Sequence, residues 1–249
     1  MADYMRDRVA TSHSAADASI DMGLRSYMLQ VYNYMAAALV LTAVSAFSVA
    51  NIGPVRDLFF QQVAPGAYAP TILAWIGMIA PIGLVFFLGF RIQKMSFSAA
   101  QTTFWVYAGL VGISIASILL NFTGASVARV FFIAAIMFGG MSLYGYTTKK
   151  DLSGFGSFLI MGMWGIFIAF IVNLFLQSTM LHYIASGIGV IVFTGLAAYD
   201  TQRIKEMYLE ADGRETMGKK AIMGALMLYL DFINLFIMLM QFLGVRNSE

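Results

Sequence analysis

Apolar residues fall in seven long runs along the chain, separated by shorter polar segments. Each run holds about twenty residues or slightly more, which as an α-helix is enough to cross the hydrocarbon core of a bilayer. The pattern therefore predicts an all-α integral membrane protein with seven transmembrane helices. The predicted spans are residues 27–50, 71–90, 97–120, 126–147, 155–176, 181–199 and 221–243.

Two polar segments near the start of the chain are longer than simple turns. Residues 1–26 mix acidic and basic side chains and lack the compact apolar core of a signal peptide, so they are expected to form a mobile polar tail. Residues 27–249 are then expected to form one transmembrane domain behind it. Residues 51–69 carry prolines and charges, which predict an external loop with a short interfacial helix at 55–63.

Lysine and arginine are distributed unevenly between the two sides of the predicted membrane domain. The basic segments, all on one side, are residues 1–26, 91–94, 149–150 and 203–220. The opposite loops hold little beyond Arg56, Arg129 and His182. By the positive-inside rule, the N-terminus is expected in the cytoplasm and the C-terminus outside.

Composition adds mainly exclusions. The chain is 60% hydrophobic and 11% charged, whereas soluble domains have about 25% charged residues. The predicted spans take most of the length, so no soluble catalytic domain is expected. A net charge of +2 spread over short loops does not indicate nucleic-acid binding. The sequence has no cysteine, which excludes disulfides and thiolate metal sites.

An aspartate, Asp231, interrupts the seventh apolar run within the segment LYLDFINLF. An ionised carboxylate there costs about 2.5–3.5 kcal/mol, so a functional residue that faces protein or water is expected. On a helical wheel Asp231 shares one stripe with other polar or small residues. This stripe, named the seam, consists of Lys220, Gly224, Asp231, Asn234 and Gln241. The seventh helix is expected to be surrounded by the other six, with its seam lining a pore or pathway.

A second acid, Asp200, closes the sixth apolar run in GLAAYDTQRIK, and two interpretations of it remain open. It is either a boundary residue solvated by headgroups and water, or a partner for Asp231 on the adjacent antiparallel helix. Linear threading places Asp231 about 13 Å further into the membrane. The two carboxylates can therefore meet only if the sixth helix ends deeper than its apolar pattern indicates.

Two carboxylates within hydrogen-bonding distance in a poorly hydrated bundle share one proton, because they cannot both ionise cheaply. Such a pair would hold two helices together when protonated and push them apart when ionised. Its clustered oxygens suit a hard cation, which makes Asp200 and Asp231 candidate Ca²⁺ ligands. Arg91 ends the second span on the same side. It is either an ion-pair partner for a carboxylate or an ordinary interfacial anchor.

Enzymatic activity is not expected. The two histidines, His13 and His182, lie in the tail and in an outer turn, and the sequence has no zinc-protease or serine-hydrolase motif. Intramembrane aspartyl proteases also use two aspartates. Tyr199–Asp200 fits one of their motifs, but Leu230–Asp231 breaks the Gly-x-Gly-Asp motif of the second.

Together, TGLAAYDTQRIK and the later LYLDFINLF resemble the paired signature of the Bax inhibitor-1 family, in a bacterial-type member. The segment KKDLSGFGSFL and the seven-span layout also match, so the resemblance covers nearly the whole chain. It implies six outer helices around a central seventh and a pH-dependent Ca²⁺ leak. It also implies a pH-sensing pair at Asp200 and Asp231, with Arg91 able to pair with the first of these.

Two functions therefore remain open. The first is a pH-sensitive Ca²⁺ leak channel in a bacterial cytoplasmic membrane, gated by Asp200 and Asp231, with Ca²⁺ as the permeant or bound ion and no other cofactor. The second is a non-conducting regulator that binds another membrane protein, such as a membrane protease. Both place the chain in a lipid bilayer, and neither involves nucleic acid.

Overall fold

The computed structural model describes residues 2–64 and 67–247, with side chains from Met22 onward in the first helix. These residues form eight α-helices, a single 3₁₀ turn at Ile92–Lys94 and a two-stranded hairpin. In chain order the elements are α1 Ala2–Asn51, α2 Gly53–Phe59, β1 Phe60–Ala64, β2 Ala67–Pro70, α3 Ile72–Arg91, α4 Phe97–Asn121, α5 Gly124–Thr147, α6 Ser153–Leu176, α7 Thr179–Glu206 and α8 Arg214–Leu243.

Seven of the described helices are long and apolar enough to cross a membrane: α3 to α8 and the Met22–Asn51 part of α1. The predicted class, an all-α membrane protein with seven spans, is confirmed. The predicted polar tail covers residues 1–26. Most of its side chains lie outside the described part of the structure, so the mobile tail stays a prediction.

Hydroxyl side chains set the first residues of four spans. Thr71, Ser96, Thr123 and Ser178 stand immediately before α3, α4, α5 and α7, and each accepts a hydrogen bond from a backbone N–H in the first turn. Such caps satisfy donors that would otherwise lack a partner at a helix start. At the other end of α6, Gln177 adopts the left-handed conformation (φ 47°) that commonly stops a helix.

The last helix, α8, is the most buried. In its most apolar window 72% of residues are buried, against 11–44% in the other six spans. It packs directly on α1, α4, α5 and α7, while α3 packs mainly on α4 and α6 mainly on α7. The bundle therefore has two rows of helices on some sides, and α3 and α6 belong to the outer row.

Glycine allows one of the closest helix contacts. Gly145 in α5 is buried against α7, and a Cβ added to it would overlap the carbonyl oxygen of Ala198. Small residues at a helix crossing let two backbones approach in this way. The contact fixes α5 against the part of α7 that carries Asp200.

The loop between the first two spans differs from the prediction. The expected helix at 55–63 is wrong beyond Phe59, where α2 ends and the chain becomes extended. The two strands pair antiparallel, with Phe60 opposite Pro70. Phe60 is buried with Val49 and Ala116, because a strand places its side chain against α1 and α4. Strands this short leave too little alternation in the sequence to be recognised.

Both ends of the bundle are fastened by hydrogen bonds in which at least one partner is a backbone group. At the end where α1 begins, the amide of Gln202 in α7 donates to the carbonyl of Lys150, and its oxygen accepts from Leu152. At the opposite end, the N–H of Asn247 donates to the carbonyl of Asn121 and the N–H of Val245 donates to Oγ of Ser126. The residues that follow α8 are therefore tied to the turn between α4 and α5.

Candidate functional site

The two intramembrane acids lie inside their helices rather than at helix ends. α7 continues to Glu206 and α8 already begins at Arg214, so both extend beyond the predicted spans 181–199 and 221–243. Asp231 is buried, with 5% of its surface exposed, and Asp200 is half-buried. The polar residues at the end of α7 and the start of α8 hid these extra turns, because a hydropathy pattern ends where charges begin.

The carboxyl groups of Asp200 and Asp231 lie within hydrogen-bonding contact of each other. Ile204 faces Gly224 across the same interface, and Gly189 faces Met238. With those contacts in register, the two aspartates are offset by about one helical turn, ~5 Å. Side chains lean toward the N-terminus of their own helix, so in an antiparallel pair these two lean toward each other. The separation of about 13 Å expected from linear threading is not observed.

One oxygen of Asp231 receives no hydrogen bond from a donor in the described part of the chain. Oδ2 of Asp231 is buried and has no hydrogen-bond partner among the described residues. A buried acceptor without a partner costs about 1–3 kcal/mol.

The donor set is small for a resident metal ion. Ca²⁺ takes about six to eight oxygen ligands. Within the described part of the chain, no group of three or more histidine or acidic side chains could hold a metal ion. Asp200 and Asp231 alone therefore supply too few ligands for a permanently bound Ca²⁺.

Arg91 is not brought to the aspartates. Its side chain is exposed at the end of α3, and it takes part in none of the ion pairs between described residues. The physical reason is that α3 packs on α4, in the outer row. The cation that acts on Asp200 is instead Arg203, three residues further along α7. That spacing places both on one helix face, so the sequence carried the signal, although it was not recognised.

The seam of α8 faces α7 at most of its positions. Nζ of Lys220 donates to the carbonyl of Met207 (2.8 Å) and to Asp212 (2.5 Å). Gly224 packs against Ile204, and at the far end Oε1 of Gln241 lies 3.1 Å from Nε2 of His182. The amide of Asn234 donates within its own helix, to the carbonyl of Leu230. Four of the five seam residues thus contact α7 or the residues that follow it, and Asn234 is the exception.

Two groups of buried or partly buried hydroxyl side chains beside the acids were not predicted from the sequence. Next to Asp200, the hydroxyl of Thr201 lies 2.7 Å from that of Ser142, which lies 2.5 Å from that of Tyr32. These three side chains, named the hydroxyl chain, connect α7, α5 and α1. Serine, threonine and tyrosine on apolar helices are common in sequence, and no local pattern marks those that meet across helices.

The second group lies two residues before Asp231. The hydroxyl of Tyr229 is 2.6 Å from that of Thr42, which donates to the carbonyl of Ala108 (2.9 Å). It connects α8 to α1 and α4. Each aspartate therefore belongs to a helix segment that polar contacts fix to two other helices, so the position of each carboxyl group is set by the whole bundle.

Known proteins resemble the chain along most of its length. A family model described as "Inhibitor of apoptosis-promoting Bax1" matches residues 24–248. An uncharacterized protein of Rickettsia prowazekii is 49% identical over the full length of both chains. The inner membrane protein YbhL of Escherichia coli K12 is 46% identical, over 90% of this chain and 94% of its own. An uncharacterized protein of Caulobacter vibrioides is 44% identical over 92% of each. These matches, and the seven-helix membrane fold, show that the chain belongs to the Bax inhibitor-1 family.

Proposed function

We propose that the chain is a pH-sensitive leak channel for cations, with Ca²⁺ as the permeant ion, and that Asp200 and Asp231 form its gate. The observation that carries the proposal is the contact between their carboxyl groups at the interface of α7 with the most buried helix of the bundle. A carboxyl pair in apolar surroundings costs free energy. The rest of the α7–α8 interface packs without such a pair, so helix packing alone does not account for it.

The closed state holds one proton between the two acids. A carboxyl–carboxyl hydrogen bond requires that one group be protonated, because an ionised carboxylate has no donor. The closed state therefore binds at least one more proton than a state in which both acids are ionised and apart. By linkage, a fall in pH favours the closed state and a rise in pH favours the open one.

Loss of the shared proton supplies a force that separates the helices. Two unit charges 4 Å apart repel each other by about 4 kcal/mol at an effective dielectric constant of 20. That is enough to outweigh a few contacts such as those of Gly224 with Ile204 and Gly189 with Met238. The ionised oxygens, including Oδ2 of Asp231, then face the opened interface and can replace part of the hydration shell of Ca²⁺.

We place the protein in the cytoplasmic membrane of a bacterium, with the N-terminus inside. The concentration of lysine and arginine on the side where α1 begins supports this orientation. The name of the Escherichia coli relative, an inner membrane protein, supports the location.

The direct test is Ca²⁺ entry into dye-loaded liposomes that contain the purified chain, measured over a series of pH values. The expected result is a flux that rises with pH in the unmodified protein. In Asp200→Asn and Asp231→Asn the flux should lose that dependence, because an amide can donate to the remaining carboxyl group without a titrating proton.

Asp151 offers a matched control because it is an exposed acid between two spans. Hydrogen bonds from the Ser153 side chain and backbone N–H lower its pKa, and it does not face the seam. Asp151→Asn should keep the full pH response. Flux equal to that of empty liposomes at every pH would contradict the channel proposal.

The alternative is a non-conducting regulator of another membrane protein. The packed seam and the small donor set for Ca²⁺ favour it. In that case, gentle detergent extraction should recover a stoichiometric partner, and the complex should survive Asp200→Asn and Asp231→Asn. A partner of this kind together with no flux would establish the regulator in place of the channel.

A further inference from the structure

A groove runs along the bundle between α1 and α5. α1 packs mainly on α4 and α8, whereas α5 packs mainly on α7 and α8, so the two helices leave a gap between them. In the half nearer the start of α1, the gap is a cavity of about 620 Å³ that extends from Arg25 to Leu39 on α1. This cavity, lined by α1 and α5, is named the α1–α5 groove. A second cavity of about 760 Å³ continues it from Leu39 toward the other end.

The walls of the α1–α5 groove are apolar and open toward the bilayer. Leu29 and Leu143, one on each helix, line it and are 52% and 64% exposed. From Arg25 to Leu39 the helix rises by ~21 Å, which is close to the thickness of one leaflet with its headgroup region, about half of 40–45 Å. The groove thus has the length of one whole phospholipid in a leaflet, and its apolar walls suit an acyl chain.

Its polar end carries positive charge. Arg25 lines the mouth of the groove on α1, and Tyr146 lines it on α5. Nζ of Lys205 does not line the cavity, but it donates to the carbonyl of Tyr146 (2.9 Å) and lies 5.8 Å from the centre of its ring, so a second cation lies beside this lining residue. Among the described residues that line the groove there is no carboxylate. Guanidinium groups bind phosphate oxygens through paired hydrogen bonds.

The hydroxyl chain crosses the gap inside the groove. Tyr32 and Ser142 both line the cavity and hydrogen-bond to each other across it, and Ser142 continues to Thr201 in α7. A molecule in the groove would therefore lie against the residues that connect α1 and α5 to the segment of α7 beside Asp200.

We propose that the α1–α5 groove binds one anionic phospholipid of the leaflet nearest the start of α1. The phosphate lies at Arg25 and Lys205, and one acyl chain follows α1 to Leu39 over the hydroxyl chain. Any effect of this lipid on gating rests on the proposed function, but the binding itself does not, so the two can fail separately.

Two neighbouring glycines provide a matched pair of variants. Gly139 lines the groove, Gly140 does not, and a Cβ at either position meets open space. Gly139→Leu fills the groove, while Gly140→Leu adds the same side chain to a lipid-facing surface one residue away. Both variants should fold, because neither new side chain meets another atom at its root, and thermal unfolding in detergent checks this.

The test uses photoactivatable phosphatidylglycerol and phosphatidylcholine, each with the reactive group on an acyl chain. The purified full chain is reconstituted with one probe at a time, and labelled peptides are mapped by mass spectrometry. We expect labels on α1 from Arg25 to Leu39 and on α5 from Phe138 to Tyr146. We also expect about fivefold more labelling by phosphatidylglycerol, since a basic residue at an anionic surface contributes about 1 kcal/mol. Arg25→Gln should remove most of that preference, and the matched variant of an exposed arginine elsewhere, Arg91→Gln, should keep it.

Four outcomes would overturn the proposal. They are equal labelling of the groove in Gly139→Leu and Gly140→Leu, equal labelling by the two phospholipids, labels spread evenly over outer helices such as α6, and occupation by a second copy of the chain. The last is measured with Gly139→Cys, which introduces the only cysteine of the sequence. A disulfide-linked dimer formed efficiently in membranes would show that the groove is a protein interface.

Discussion

The hydroxyl groups of Thr42 in α1 and Tyr229 in α8 lie 2.6 Å apart in the buried centre of the bundle. Thr42 also donates to the carbonyl of Ala108, so the pair joins three helices at a point two residues from Asp231. The two hydroxyls are not equivalent. Thr42 has a second partner, whereas Tyr229 depends on Thr42 alone among the described side chains.

This difference leads to the first prediction. Tyr229→Phe should lower the free energy of unfolding by about 1 kcal/mol, because Thr42 keeps its bond to Ala108. Thr42→Val should lower it by about 1–3 kcal/mol, because the tyrosine hydroxyl is left buried without a partner. Equilibrium unfolding in detergent measures both, with Thr147→Val on the exposed end of α5 as the control. If the double variant loses the full sum of both effects, the two hydroxyls are not coupled.

The second prediction concerns the contact of α5 with α7. Gly145→Ala should destabilise the protein by about 1–3 kcal/mol, because the new methyl group overlaps the carbonyl oxygen of Ala198 and the helices must separate. Gly140→Ala, in the same helix and facing open space, should be neutral or stabilising by up to about 1 kcal/mol. Unfolding midpoints of the two variants that coincide would show that the close approach is absent in solution.

The third prediction tests whether α7 must leave α8 for ions to pass. Ile204 and Gly224 face each other across this interface, and the sequence has no other cysteine to interfere. Ile204→Cys combined with Gly224→Cys should form a disulfide under oxidation, since the side-chain roots are close enough for one. In liposomes the oxidised variant should show low Ca²⁺ flux at every pH, and a reducing agent should restore the rise of flux with pH.

Each single cysteine variant serves as a control for that experiment and should respond to pH with or without oxidant. A cross-linked protein that still conducts at high pH would mean that the ions follow a route other than the seam.

The fourth prediction concerns the connection between α7 and α8. Lys220 binds Asp212 and the carbonyl of Met207 with little exposure on either side chain, at 20% and 16%. Lys220→Gln should lower the free energy of unfolding by about 1–3 kcal/mol. This loss should persist in high salt, because a partly buried pair is weakly screened. Arg214→Gln, an exposed change at the first residue of α8, should have little effect. Equal losses for both variants would contradict the special role of the pair.

The helices and the two acids could be predicted because a bilayer imposes a simple rule. A span must be long and apolar, so any charge within it stands out, and Asp231 did so clearly. The meeting of Asp200 with Asp231 could not be derived, since it depends on how far α7 and α8 continue past their apolar parts. Those extra turns are rich in charges, so the hydropathy pattern does not include them, although they are helical and contain contacts such as those of Lys219 with Glu215 and Lys220 with Asp212.

Other features depend on the packing order of helices, which a single sequence does not contain. Arg91 ends its span on the side where Asp200 lies, yet α3 belongs to the outer row and keeps the arginine at the surface. The hydroxyl chain is invisible for the same reason. Tyr32, Ser142 and Thr201 lie on three different helices and become a unit only when α1, α5 and α7 are placed together.

The residues that tie down α8 determine how the bundle can move. Lys219 and Lys220 bind backbone carbonyls beside the start of the helix, and Val245 and Asn247 are bound to the α4–α5 turn just beyond its end. A rod held at both ends can neither slide nor swing freely. Under the proposed gating, Asp200 and Asp231 therefore separate between two fixed ends of α8, and α7 is itself tied to α5 and α1 through the hydroxyl chain.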